Sequence, residues 1–140
     1  MISETQSKTE LVREYERQAN GTDGWTRHAF GRLVYSDGML FVAETCGAYW
    51  LLDVVASHQP PIMRKLRRLG ERDFQVWVLE HTPKPGRSDC WTIRAWTDTP
   101  HADGSQKLAA QVIPYSDFPR DLSPFKFIVE DGRCMLSGER

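Results

Sequence analysis

Apolar residues along the chain recur first at helical spacing and later in alternation. In "SKTELVREYERQANG", residues 7–21, Leu11, Val12, Tyr15 and Ala19 fall on one stripe. Ser7 and Glu10 have capping-box spacing and Asn20-Gly21 supplies a stop, which predicts a helix within residues 1–20. "RLVY" and "MLFVAE" read as two short strands joined by Asp37-Gly38, a dipeptide suited to a tight hairpin. Helical spacing returns at Leu51, Val54, Val55 and His58, and Pro60-Pro61 is expected to end that run. "IMRKLRRLG" then reads as a separate short helix closed by Gly70. "DFQVWVLEH", "CWTIRAW" and "KLAAQVI" read as strands, joined by loops rich in Pro, Gly, Asp and Ser. After a loop or single turn in "PYSDFPRDLSP", "FKFIVE" and "RCMLS" form a last hairpin through Asp131-Gly132.

Strands joined by short turns favour antiparallel pairing, and amphipathic helices bury their stripes on a sheet face. The expected fold is therefore α+β: an antiparallel sheet of about five to seven strands with two or three helices packed on one face. No repeat or linker interrupts the chain. Residues 1–140 read as a single domain, with an N-terminal helix in 1–20 and a helix-backed antiparallel sheet in 29–137.

Composition narrows the function classes. A net charge of −1 offers no global attraction to nucleic acid or an anionic membrane, so such contacts would need a local patch. Cys46, Cys90 and Cys134 include no CxxC pair, and His28, His58, His81 and His101 have no ligand spacing. No metal or cofactor is therefore expected. The polar start "MISETQSKTE" does not resemble a signal peptide, and no stretch has the length of a membrane span. The expectation is a cytoplasmic protein with reduced thiols and no membrane partner.

Three groups of residues carry candidate chemistry. Cys46 stands where a strand is expected to give way to a helix, and a helix N-terminus acidifies a thiol. With His81 as base and Asp89 orienting it, Cys46 could serve a cysteine hydrolase. "CGAYW" is similar to the nucleophile segment of papain-like proteases, although the second cysteine and the oxyanion-side glutamine of that pattern are missing. The plainer reading is a helix cap beside a close-packed Gly47. The second group is Arg64, Lys65, Arg67, Arg68 and Arg72, set against the single acid Glu71. With Met63, Leu66 and Leu69 turned inward, these cations would face phosphates, a partner's carboxylates, or simply solvent. The third group lies in "CWTIRAW", where Arg94 and Trp96 share one side with Thr92. That face, beside Lys107 and Gln111, is either an open binding surface or is covered by the first helix. Asp53, within an apolar helix, is expected to pair with Arg27 or Arg32.

"GTDGWTRH", "YSDG", "AETCGAYWLLDVVASHQP", "FQVWVLE" and "YSDFP" together resemble an uncharacterised family of small bacterial proteins, catalogued as a domain of unknown function. The likeness spans about residues 20–137, and "GAYWLLD" is its most specific part. The resemblance implies a setting on plasmids, phages and other mobile elements, where small proteins commonly act as binders, some of them inhibitors of host defence. The leading expectation is a non-enzymatic protein-interaction domain from a phage or mobile element. Arg64, Lys65, Arg67, Arg68, Arg94 and Trp96 are its expected contacts. Its partner would be a larger bacterial protein or ribonucleoprotein complex. The most concrete version is an anti-CRISPR-like inhibitor that blocks a bacterial defence complex by bulk or charge. The alternatives are a cysteine hydrolase using Cys46 and His81, and nucleic-acid binding through the basic 64–72 segment. A free sheet edge would also permit a homodimer.

Overall fold

The computed structural model describes residues 4–22, 24–29 and 31–140, without the side chains of Thr5 and Gln6. The first three residues of the expected 1–20 helix lie outside the described residues. Among the described residues three α-helices occur, α1 (Glu4–Gln18), α2 (Asp37–Cys46) and α3 (Tyr49–Leu69). The strands are β1 (Trp25–Arg27), β2 (Val34–Ser36), β3 (Phe74–His81), β4 (Trp91–Trp96), β5 (Lys107–Ile113), β6 (Phe125–Glu130) and β7 (Arg133–Met135). They form one sheet in the order β1-β2-β7-β6-β3-β4-β5. β2 and β7 run parallel, and the other neighbouring pairs are antiparallel. The α+β expectation holds.

Alternation decides which side of the sheet is covered. Trp77, Leu79, Trp91, Ile93, Phe125 and Phe127 point to one face, where they form a core with Val12 of α1, Val42 of α2 and Leu51, Val55 and Leu66 of α3. Each such burial contributes on the order of 2–3 kcal/mol. α1 packs on α2 in this same layer, with Tyr15 stacked on Phe41 at 4.7 Å, so it does not cover the Arg94 face.

Three sequence expectations are overturned. "DGMLFVAETC" is the helix α2 rather than half of a hairpin. The Ser36 hydroxyl caps it by accepting from the Met39 N–H at 3.1 Å. Ser36 Oγ in turn donates to Glu139 Oε1 at 2.6 Å, and the Gly38 N–H donates to Glu139 Oε2 at 3.1 Å. A buried carboxylate at the far end of the chain thus fills the positive end of the α2 dipole. Gly38 is needed there because a Cβ would overlap that carboxylate.

The second correction concerns Pro60-Pro61, which lie inside α3 instead of ending it. Two helical N–H donors are missing, but Ile62 and Leu66 beyond them are buried in the core and hold the helix on course. One turn earlier, Ser57 Oγ donates to the Val54 carbonyl at 2.7 Å and Gln59 Nε2 to the Val55 carbonyl at 3.2 Å. α1 is already helical at Glu4, so Ser7 lies within it and caps nothing. The Asp131-Gly132 hairpin is as expected, with φ of 51° and 77° at its two central residues.

Candidate interaction surface and a charged groove

Cys46 and His81 have no common site. Cys46 closes α2 at its C-terminal end, where the helix dipole disfavours a thiolate, and Gly47 at φ 61° turns the chain into α3. The corner joins two helices, not a strand and a helix. Burial pushes the Cys46 thiol up to about 11; Lys8 opposes this and Asp117 adds to it. Burial also raises the Cys134 thiol. The His81 ring packs 5.1 Å from Trp91 and its Nε2 lies 2.6 Å from the Ser88 carbonyl oxygen, while Asp89 pairs with Arg120 at 2.5 Å. Asp89 orients an arginine, not the imidazole.

The basic segment is divided by its own helix. Arg64 and Arg68 are exposed on the side of α3 away from the core, while Arg67 lines a groove on one flank. Lys65, on the other flank, donates to the Lys107 carbonyl at 2.8 Å and so covers one end of β5. Arg72 lies 3.6 Å from Glu130 and 4.6 Å above the Phe74 ring, on the opposite side of the sheet. Of the inward trio, Leu66 is buried, Met63 lines the groove and Leu69 is exposed.

Arg94 and Trp96 belong to the sheet face that no helix covers. Arg94 lies 3.8 Å from Glu80, and Trp96 sits half-buried at a bulge in the β4–β5 ladder. Phe74, Val76, Ile128 and Met135 form a second apolar cluster on this face, flanked by the Arg72 and Arg140 guanidiniums over Phe74. The face ends at β5, whose outer edge pairs with no strand. Val112 on β5 is 45% exposed and Tyr115 just beyond it 70%. The six residues expected to form one footprint are therefore split between the two sides of the sheet.

The groove was not foreseen. It encloses about 540 Å³ between α3, the residues before β2 and the β6–β7 turn. Leu33, Ala56, Pro60 and Met63 give it an apolar floor, and Arg32, Arg67, Asp73 and Asp131 bring charge to it. Gln59 in its wall exchanges amide hydrogen bonds with Gln75 at 2.9 and 2.8 Å, and Gln75 also accepts from Trp77 Nε1 at 2.9 Å. Asp73 Oδ1 is buried without a hydrogen-bond partner. Burial and then the Asp131 charge raise the Asp73 pKa, with a Gln75 hydrogen bond acting the other way and Glu130 adding slightly. Among the described residues, no group of three His, Cys, Asp or Glu could hold a metal ion, and no helix is long and apolar enough to cross a membrane.

The segments that carried the family resemblance now have places. "YSDG" builds the α2 cap. Asp53 of "GAYWLLD" meets His28 of "GTDGWTRH" at 2.7 Å, rather than Arg27 or Arg32. In "YSDFP", Ser116 Oγ accepts from the Phe118 N–H at 3.0 Å and the Ser116 carbonyl accepts from Trp91 Nε1 at 3.2 Å. A family model covers the same blocks, matching residues 10–140. The chain belongs to DUF6876, a family of unknown function. No curated protein and no solved structure matches it. In this DUF6876 member those segments hold helices and strands together.

Proposed function

We propose that this DUF6876 chain is a protein-interaction domain that engages a larger protein through β5 and the adjoining helix-free sheet face. The observation that carries this reading is the seven-residue edge strand β5, which ends the sheet face opposite the helices and exposes Val112. An edge strand presents unpaired N–H and C=O groups to which an extended segment of a partner can add as another strand. Tyr115 beyond β5 offers the large amphipathic contact common at interface hot spots. Arg94 adds a cation whose exposed pairing with Glu80, at 3.8 Å, is easily exchanged for a partner's carboxylate. The sharper form, steric inhibition of a bacterial defence nuclease complex, rests on the mobile-element setting that the resemblance implies.

A photo-crosslinking residue at Val112 tests the reading, with the exposed Glu10 on α1 as control. Adducts to one protein from Val112 alone, lost on Tyr115→Lys or Arg94→Glu, are the expected outcome. Equal adducts from both positions, or capture indifferent to both substitutions, would remove β5 from the interface.

A further inference from the structure

The groove beside α3 lies on the opposite flank of that helix from β5, so it poses a separate question from the proposed interface. Four charged side chains line it, two of each sign. Among the described residues neither Arg32 nor Arg67 has a carboxylate within ion-pair distance, although Asp73 and Asp131 line the same space. Asp131 reaches no closer than 4.0 Å to Arg133, and Asp73 keeps one buried oxygen without a donor. Pro60 sharpens the pattern. Its missing N–H removes the helical donor to the Ala56 carbonyl, and Ala56 also lines the groove. Opposite charges thus share a concave apolar space without closing on one another.

The walls are fixed by the fold rather than by the charges. The Asp131 N–H donates to the Asp73 carbonyl at 3.1 Å, and the Val34 N–H donates to the Gly132 carbonyl at 2.9 Å. The reciprocal Gln59–Gln75 bonds tie α3 to β3. The volume falls within the roughly 300–1,000 Å³ usual for small-molecule sites, which combine apolar walls with a few convergent polar groups.

We infer that this groove binds a small zwitterion of the apolar α-amino-acid class, its ammonium toward Asp131 and the Ala56 carbonyl, its carboxylate between Arg67 and Arg32, and its side chain over Leu33 and Met63. Carboxylates are held well by guanidinium forks, and an ammonium supplies three donors that a carboxylate and a carbonyl can accept. A ligand with one charge would leave half of the lining unmatched. A cation would still face two arginines, and an anion two aspartates.

Calorimetric titration of the intact protein with L-leucine and L-methionine tests the inference, with isoamylamine and isocaproate as single-charge analogues of leucine. The expected result is saturable binding of at least one amino acid, with each analogue at least tenfold weaker. Arg67→Gln and Asp131→Asn should each weaken binding at least tenfold without lowering the thermal midpoint. Asparagine suits residue 131 because it tolerates the positive φ found there. Two outcomes would overturn the inference. One is no saturable heat up to about 10 mM amino acid, near the limit of useful affinity. The other is a ligand-free double-mutant cycle showing that Arg67 and Asp131 already stabilise one another.

Discussion

Glu139 Oε1 accepts a 2.6 Å hydrogen bond from Ser36 Oγ, joining positions 103 residues apart. The same carboxylate receives the Gly38 and Leu136 N–H groups at 3.1 and 2.9 Å, so residue 139 acts as a second cap on α2. Glu139→Ala would leave three buried donors without this acceptor. The expected cost is about 2–4 kcal/mol, since buried hydrogen bonds to charged groups are worth more than neutral ones. Denaturant unfolding should show a lower midpoint with an unchanged slope. Gly38→Ala should cost a similar amount by displacing the carboxylate, whereas Gly104→Ala should cost only the strain of its φ of 79° because nothing lies near its Cβ. Equal losses for the two alanines would dismiss the Glu139 cap.

That cap explains why the first half of the chain misled. Period-2 and period-3.6 patterns were enough for the bulk of α1, for β3 to β5 and for the Asp131-Gly132 hairpin, because those elements are specified by their own residues. Asp37-Gly38 signals a hairpin locally; what makes it a helix start is a carboxylate from residue 139. Pro60-Pro61 signals a stop locally; what carries α3 past it is the burial of Ile62 and Leu66. The place of Arg94 on the face away from the helices was half legible, since alternation paired it with Trp96 but could not say which face the helices choose. The groove had no signal at all. Its charges come from residues 32, 67, 73 and 131, which only the folded chain brings together.

Thiol labelling separates the interaction reading from the cysteine-hydrolase alternative. With its pKa at about 11, Cys46 has on the order of one thiolate in ten thousand at pH 7. Cys90 and Cys134 are also buried. The native protein should therefore react slowly with iodoacetamide at neutral pH, and all three thiols should label quickly once it is unfolded. A single thiol that alkylates rapidly in the folded state, with a midpoint below pH 8, would restore Cys46 or one of its fellows as a nucleophile.

Asp73 should impose a pH dependence of definite sign. Burial raises its folded-state pKa above the value near 4 of an unfolded chain. The protonated form therefore favours the native state, and that stabilisation is present below the unfolded pKa and lost as pH rises through the folded one. Asp73→Asn removes this loss. The variant should match or trail the wild type near pH 3 and exceed it at pH 7, read as a higher Tm than the wild type's at the higher pH. A gain that shrinks with rising pH would contradict the raised pKa.

Lys65 should protect the edge it covers. Its ammonium donates to the Lys107 carbonyl from an α3 side chain, while Arg64 and Arg68 on the outer side of the helix have no such task. Lys65→Met should speed amide hydrogen exchange in β5 several-fold with less than about 1 kcal/mol lost globally, and Arg64→Ala with Arg68→Ala should leave that exchange unchanged. Because the proposed partner adds to this same edge, Lys65→Met should also bind it at least as well as the wild type, whereas a basic-patch interface would be weakened by all three substitutions. The two surfaces are thus told apart by one lysine that belongs to both.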